Sequence, residues 1–438
     1  MKIPLFQGVL IASFVLAALI GLFVFATHTN TSGTSTTDVG TVVIWGTLPR
    51  ADMQSALTAV TQSNPSLKGV SYVQESADTL PADLATAIAT GNAPDLVLAS
   101  QEELQPLSKL IAPVPLTTLP VATYDATFAE GASIFAAPNG EGYYGVPFMV
   151  DPLVLYSNRA ILSSSGIAKP PATWEALVGL APSIVTLTPS RQVSRALIAL
   201  GTYSNVHDAR GILSTLFLQA GVPIAQYANG VLSANLSGVS GSDSSVPGQA
   251  ALGFYTQFAD PSKVSYTWNE SLPDSQQAFL AGDLALYAGY ASEAHFLSAA
   301  NPNLDFAVTP LPQPATAAAK SVYGLLYAFM IPRGAKNPAG AYQAAALLTG
   351  SAAQEAAAPL LGLAPATLGA LSNAPADAAS ASAVAYAEAL YAKGWLSPAP
   401  ADTDTVFSGM ISGVITGRLA PDRALSTSES ALTALLQK

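Results

Sequence analysis

The sequence predicts an α/β protein of two lobes, preceded by an N-terminal transmembrane helix. Strands and helices alternate from residue 41 to residue 110, which predicts the α/β class. Two extended segments, near 148–157 and 306–313, separate a middle block from the parts around it, which predicts two lobes. Residues 3–26 carry no charge, which predicts the transmembrane helix. The chain has 438 residues, which is enough for two lobes that each bury a core.

Composition narrows the class of protein. Half of the chain is hydrophobic and one tenth is charged, which is typical of a globular protein rather than a disordered one. The formal net charge of −11 argues against nucleic acid or an anionic lipid surface as the main partner. The chain has no cysteine, which excludes disulfides, thiolate metal sites, cysteine nucleophiles and a lipid-modified N-terminal cysteine.

The N-terminus predicts that the chain crosses a membrane. The charge-free run 3–26 can span a bilayer as one helix, and signal-peptide cores are usually shorter, about 7–15 residues. An uncleaved anchor over residues 1–26 is therefore favoured, and secretion after cleavage near Ala26 is the alternative. Lys2 precedes the span, so the N-terminus is expected in the cytoplasm and the body outside. The polar residues 27–40 are predicted to form a flexible tether.

The first part of the body predicts a parallel sheet. Strands are expected at 41–45, 70–74 and 95–99, each followed by a helix, at 51–63, 81–90 and 101–110. Strands that are apolar on both faces belong to sheets covered by helices on both sides, where ligands bind beyond the carboxyl ends of the strands. The strand 95–99 therefore delivers Ser100 and the polar residues after it to a binding edge.

The rest of the chain predicts a second, more helical block. The extended run 145–162 is broken at Asp151, and a second extended run lies at 304–312, followed by another at 322–332. Two crossings suggest discontinuous lobes joined by a hinge of strands that closes on a ligand. Helices are predicted at 171–181, 194–203, 209–221, 249–259, 337–349, 351–361, 376–393, 402–418 and 421–437, and a helix, turn and strand at 275–290.

The sequence offers no catalytic constellation. The three histidines have no partner at metal-ligand spacing, and the H-E-x-x-H, Walker and nucleophile-elbow motifs are absent. Two carboxylates in "ADTDTVF" (401–407) suit the start of a helix better than an acid/base pair. The sequence therefore predicts neither an enzyme nor a cofactor or metal site.

Six segments carry a family resemblance. They are "VVIWGTLPRADMQSAL", "AIATGNAPDLVLAS", "GVPFMVDPLVLYSNRAIL…GIAKPPATWEAL", "SQQAFLAGDLALYAG", "FAVTPLPQP…YGLLYAFMIPRGAKNPAGAYQAAALLTG" and "VFSGMISGVITGRLAPDRALSTSESAL". In this order they resemble the extracellular solute-binding proteins of ABC importers, of the maltose- and carbohydrate-binding class. The resemblance implies a periplasmic-binding-protein-like fold of type II, a solute bound between the lobes and ABC permease subunits as partners of a monomer. It divides the body into lobe 1 (41–150 and 314–362) and lobe 2 (151–313 and 363–438).

The resemblance also implies a set of ligand-binding residues. The hinge motif places its acidic binding position on Asp151, and the family's Gly-Pro-Trp segment is replaced by "YAGYASEA", so Tyr290, Ser292 or Glu293 takes the place of its tryptophan. Phe407 falls at a sugar-stacking position. The first two binding loops contribute Thr47, Arg50, Ser100, Gln101 and Glu102.

Trp268 is a candidate from the residues alone. It lies in a polar loop that contains a proline, "SYTWNESLPD". A tryptophan in such a loop is either a stacking platform for a ligand or a lid over a small apolar cluster.

Three functions compete. An oligosaccharide fits the mixture of aromatic rings, amides and carboxylates. A peptide or cationic solute is favoured by the excess of acid at Asp151, Glu102, Glu293 and Asp404. A surface scaffold that has lost its ligand is the third, because the predicted cleft motifs are rich in alanine and poor in tryptophan.

Overall fold

The computed structural model describes residues 38–190, 192–238 and 246–438. The predicted anchor over residues 1–26 and most of the predicted tether lie outside these residues. Within the described part of the chain, no helix is both long and apolar enough to cross a membrane. The end of the predicted tether packs on the body, because Val39 is 3% exposed and its carbonyl accepts a hydrogen bond from the Asn337 side chain at 2.9 Å.

Strands form the frame of the body. They are β1 (Val42–Gly46), β2 (Val70–Gln74), β3 (Leu96–Ser100), β4 (Ile111–Ala112), β5 (Val114–Pro115), β6 (Gly142–Tyr143), β7 (Val146–Asn158), β8 (Thr186–Leu187), β9 (Val193–Ile198), β10 (Ile224–Ala228), β11 (Val231–Asn235), β12 (Leu284–Tyr290), β13 (Phe306–Pro310), β14 (Val322–Pro332), β15 (Ala364–Pro365) and β16 (Ala392–Lys393).

Helices cover the strands. They are α1 (Arg50–Ser63), α2 (Leu80–Ala89), α3 (Leu104–Leu107), α4 (Val121–Thr127), α5 (Arg159–Ser164), α6 (Trp174–Ile184), α7 (Ala209–Gln219), α8 (Pro247–Thr256), α9 (Ser275–Ala281), α10 (Glu293–Ala300), α11 (Pro338–Leu348), α12 (Ser351–Leu361), α13 (Leu368–Leu371), α14 (Ala381–Ala389), α15 (Pro400–Ile415) and α16 (Pro421–Leu436).

The strand order runs β2-β1-β3-β14-β7-β12-β9-β8. The strands β1, β2 and β3 pair in parallel, as the alternation of strands and helices predicted. This side of the sheet is called the first lobe here, and α1 packs against α12 on it. The side with β12, β9 and β8 is called the second lobe, where α7, α8, α15 and α16 pack together. The two-lobed α/β fold is therefore confirmed.

One strand connects the two lobes without a break. The first part of β7 pairs with β14, with Asp151 opposite Leu325 and Pro152 opposite Gly324. Its second part pairs with β12, beginning with Leu153 opposite Tyr290, and with β13. All thirteen residues of β7 are buried, which explains why its sequence is apolar on both faces. The strand changes partners immediately after Pro152, next to Asp151.

The structure corrects two sequence predictions. The segment 194–203 was expected to be helical, but β9 occupies 193–198 and pairs in parallel with β12, because its buried residues serve a central strand better than a helix face. The extended run near 306–313 was expected to cross between the lobes, but β13 pairs with the second part of β7. The second crossing strand is β14, which pairs with the first part of β7 and with β3.

Other local predictions agree with the structure. Gly91 follows α2 with a φ of 71°, a left-handed conformation that glycine adopts without steric cost. Thr173 caps α6, and its side chain accepts a hydrogen bond from the backbone of Ala176. The boundaries of the lobes in the sequence, 41–150 with 314–362 and 151–313 with 363–438, remain a prediction.

Candidate functional site

The point where β7 changes partners carries a buried carboxylate. Asp151 is 4% exposed, and its Oδ1 accepts a hydrogen bond from the backbone nitrogen of Ser292 at 3.1 Å. Burial raises the pKa of Asp151 to about 7, although the hydrogen bonds from Ser292 act in the opposite direction. This carboxyl group is therefore placed between the lobes and protonates near neutral pH.

Further polar side chains of the second lobe lie near this carboxylate and bind one another. Glu293, at the start of α10, accepts hydrogen bonds from the backbone nitrogen of Tyr290 at 2.6 Å and from the hydroxyl of Tyr287 at 2.5 Å. The amide of Gln276 donates to the same carboxylate at 2.6 Å. Burial, followed by the nearby charge of Glu293, raises the pKa of Asp208 well above its usual range. The residues Asp151, Glu293 and Asp208 therefore form one acidic cluster.

The first lobe contributes the residues that follow β3. The backbone and hydroxyl of Ser100 both donate to Glu103, at 2.9 and 2.6 Å. Burial raises the pKa of Glu103 to about 7, and the bonds from Ser100 partly offset that shift. This pair fixes the turn that positions the next two residues.

Gln101 is held by β14. Its amide nitrogen donates to the Tyr323 hydroxyl and to the Gly324 carbonyl, both at 3.2 Å, and its oxygen accepts from the Leu326 nitrogen at 2.6 Å. The side chain is fully buried. The amide therefore joins the end of β3 to the second crossing strand.

Glu102 meets an arginine from the other lobe. Arg210, in the first turn of α7, donates from Nε and Nη2 to the two oxygens of Glu102 at 2.9 and 2.8 Å. Its Nη1 donates to Asp404 on α15 at 2.6 Å. The Tyr323 hydroxyl donates to Glu102 at 2.5 Å, and the Tyr203 hydroxyl donates to Asp404 at the same distance. Carboxylates of both lobes are thus bound to one guanidinium group.

The acidic cluster and the arginine network meet at the start of α7. A Cβ atom on Gly211 would lie 2.9 Å from the Tyr290 hydroxyl and 3.3 Å from the Tyr323 ring. The absence of a side chain at Gly211 therefore lets both tyrosines pack against the helix, with Asp208 before it and Arg210 beside it. The site is consequently continuous from Glu102 to Asp151.

Two predicted residues lie in a neighbouring groove. Thr47 and Arg50 line a groove of about 670 Å³ with Tyr72, Gln74 and Glu75, beyond the carboxyl ends of β1 and β2. Arg50 is exposed, and its backbone nitrogen donates to the Gln74 side chain at 2.9 Å. The first predicted binding loop thus reaches the same edge of the sheet as Gln101 and Glu102.

Two predicted aromatic contacts are buried in the second lobe. Phe407 is 0% exposed and packs between Trp395 and Phe217, with ring centroids 6.1 and 6.4 Å away. Trp268 is 1% exposed, and its indole nitrogen has no hydrogen-bond partner among the described residues. Neither ring presents a face on which a ligand could stack.

A further groove lies beside this site. It encloses about 510 Å³ and is lined by residues between 130 and 138, by the hairpin of β10 and β11 and by the segment from Lys393 to Leu396. The groove lies next to the candidate site, because the backbone of Gly394 is close to the Gln101 side chain. A Cβ atom on Gly394 would lie only 2.7 Å from that side chain.

Sequence reasoning missed three residues of the site, Arg210, Asp208 and Tyr323. The first two stand in "HDARGILSTLF", where an acid and a base flank the start of an otherwise apolar helix. Charges that enter an apolar helix need a partner, so this pattern was an available signal. Tyr323 lay inside an extended apolar run and gave no such signal.

Within the described ranges, no group of three histidine or acidic side chains is arranged to hold a metal ion.

Comparisons with known proteins address the fold and the family. A family model described as bacterial extracellular solute-binding protein matches residues 56–387 of the chain. A search of curated proteins finds no match to the sequence.

Solved structures share the fold. A cyclo/maltodextrin-binding protein complexed with maltotetraose aligns with a TM-score of 0.70 at 16% identity, over 93% of this chain and 99% of that chain. A cyclic alpha-maltosyl-1,6-maltose binding protein from Arthrobacter globiformis aligns with a TM-score of 0.72 at 15% identity, over 90% of this chain and 98% of that chain. The GacH receptor of Streptomyces glaucescens, solved with and without acarbose, aligns with a TM-score of 0.66 at 18% identity, over 91% of this chain and 99% of that chain.

Proposed function

Because the chain belongs to the bacterial extracellular solute-binding protein family, we propose that it captures an oligosaccharide between its two lobes and presents it to an ABC importer. Proteins of this family bind solutes and are not enzymes, so no residue is given a catalytic role. The structural relatives bound to maltotetraose and acarbose support a sugar as the solute.

One observation carries the proposal. Polar groups from the end of β3, from the point where β7 changes partners and from the end of β12 converge between the lobes, and ligands in α/β proteins bind at such strand ends. Carboxylates and tyrosine hydroxyls are suitable partners for sugar hydroxyls. The proposed contacts are Thr47, Arg50, Ser100, Gln101, Glu102, Asp151, Tyr290, Ser292 and Glu293, with Asp208, Arg210, Tyr323 and Asp404 added.

The charge of the site favours a second candidate, a cationic solute such as a polyamine or a basic peptide. Six acidic side chains lie in this region, and Arg210 forms ion pairs with two of them, Glu102 and Asp404. A cationic solute would be attracted by Glu293 and, by favouring their charged forms, would lower the raised pKa values of Asp151 and Asp208 on binding.

Binding should close the lobes. A solute that contacts both lobes stabilises the closed arrangement, so its addition shifts the population towards that state. Thermal-shift screening of maltotetraose, other oligosaccharides, basic peptides and polyamines identifies the solute. Small-angle scattering with a saturating amount of that solute should give a smaller radius of gyration than without it.

The controls for closure separate the candidates. A sugar that stabilises the protein supports the first candidate, and a polyamine or peptide supports the second. A protein that binds no member of the panel would favour a scaffold without a ligand. An unchanged radius of gyration in the presence of a bound solute would contradict closure.

We further propose that residues 1–26 remain as a membrane anchor and that residues 27–40 tether the body outside the cytoplasm. The support is the charge-free length of the segment, which exceeds a usual signal-peptide core. Mass spectrometry of protein extracted from membranes should then detect peptides from residues 3–26. A mature N-terminus at Thr27 would show cleavage and contradict the anchor.

A further inference from the structure

The contact between Arg210 and Glu102 joins the two lobes through side chains of the chain itself. Glu102 follows β3 of the first lobe, and Arg210 lies in the first turn of α7 on the second lobe. The two parallel hydrogen bonds between them are the bidentate geometry in which arginine binds a carboxylate most strongly. This is a direct ionic link across the proposed cleft.

Both ends of the link are also held by other side chains. The Tyr323 hydroxyl fixes Glu102, and Asp404 fixes the far side of the guanidinium group while the Tyr203 hydroxyl holds Asp404. The Glu102 side chain is 5% exposed and the Arg210 side chain 20%. An ion pair so far removed from solvent is screened little by salt, unlike an ordinary surface pair.

We infer that Arg210, Glu102 and Asp404 form an interlobe latch, which keeps the lobes together through contacts within the chain and sets how often the cleft opens. The inference rests on the lobe motion of the proposed function, but it requires no solute. A second contact on the same side supports it, because the Gln105 side chain, after β3, donates to the carbonyl of Leu436 at the end of α16 at 3.0 Å.

The latch has a consequence for binding. Glu102 is one of the proposed solute contacts, and its oxygens already accept bonds from Arg210 and Tyr323. A carboxylate accepts further bonds, but a solute that takes the place of Arg210 has an apparent affinity that includes the free energy of opening the latch.

The absence of cysteine makes a direct test possible. Thr58→Cys on α1 and Ser298→Cys on α10 place one spin label on each lobe at exposed positions, and the chain has no other thiol to label. Electron–electron double resonance then measures the distance between the lobes without any solute. In this labelled background Arg210→Ala should shift the distance distribution to longer values, and Arg210→Lys should shift it less, because lysine retains the charge but not the bidentate geometry.

Matched controls separate the latch from a general loss of stability. Arg159→Ala removes another arginine ion pair, to Asp305 at 3.0 Å, which lies within the second lobe and should leave the distance unchanged. Arg210→Ala combined with Gln105→Ala should widen the distribution further. A folded Arg210→Ala protein with the parent distribution would overturn the latch. Should that variant fail to fold, an unchanged distribution in Arg210→Lys combined with Gln105→Ala would overturn it equally. The latch lowers the share of open molecules before a solute is added but does not remove it, so the scattering experiment still measures closure by a bound solute in the molecules that are open.

Discussion

Asp151→Ala is expected to weaken binding of the solute about ten- to a hundredfold. A hydrogen bond to a charged group is worth about 1.5–3 kcal/mol, and a solute hydroxyl that loses its partner in a buried site loses most of that free energy. Asp151→Asn should fall at the lower end of the range, because the amide oxygen still accepts one bond. Calorimetry on the solute found by thermal-shift screening measures both variants.

The structure shows why the asparagine variant is the cleaner experiment. Asp151 also accepts the backbone hydrogen bond of Ser292, so alanine removes a structural contact as well as the proposed solute contact. Asparagine can keep the bond to Ser292. Asp305→Asn, at an exposed carboxylate on the second lobe, is the matched control and should leave the affinity unchanged. Parent-like affinity in both Asp151 variants would place the binding site elsewhere.

The Asp151 variants have a second measurable effect. With its pKa raised from 3.8 to about 7, the folded protein retains a proton that the unfolded chain releases. The contribution of Asp151 to the free energy of unfolding should therefore fall as the pH rises from about 4 to about 7. Burial raises the pKa of Glu103 and Glu388 to about 7 as well, so Asp151→Asn should remove only one part of the pH dependence of stability.

Phe407→Ala should lower the free energy of unfolding by about 3–5 kcal/mol, the usual cost of truncating a buried aromatic ring. The ring is fully buried between Trp395 and Phe217, so alanine leaves a cavity in the second lobe. Denaturant unfolding measures the change. Phe296→Ala is the control, because Phe296 is 52% exposed and its removal should cost little.

The same variant separates two roles for Phe407. A ring that stacks on a sugar would weaken binding while leaving stability nearly intact. The structure favours the opposite result, a large loss of stability. A parent-like free energy of unfolding together with weakened binding would return Phe407 to the solute site.

The alternation of strands and helices predicted the first lobe closely, because β1, β2 and β3 are local patterns of apolar residues followed by turn signals. The prediction was less accurate where tertiary contacts decide the structure. Residues 193–198 form a strand because β12 and β8 pair with them on both sides, which no local pattern reveals. The second strand that connects the lobes was expected at 306–313, but it is β14. Both segments are apolar extended runs, and only their pairing with β7 and β3 in the structure distinguishes them.

Candidate site residues were predictable where polar residues interrupt or follow apolar runs. Asp151 interrupts the apolar sequence of the continuous strand β7, and Ser100 and Glu102 lie at or just after the end of β3. Whether Phe407 and Trp268 face solvent depends on how neighbouring helices pack, and sequence spacing does not contain that information. Arg210 was overlooked for a related reason, since its two carboxylate partners lie far away in the chain.

The pairing of β3 with β14 has a consequence for biosynthesis. Gln101, at the end of β3, and Tyr323, in β14, are 222 residues apart in the chain, so β3 leaves the ribosome long before its neighbour exists. At about 5–20 residues per second, that interval lasts roughly 10 to 45 seconds. Throughout it, a strand whose residues are all buried in the finished fold has an open edge able to pair with other chains, and the first lobe completes its sheet only after β14 has been made.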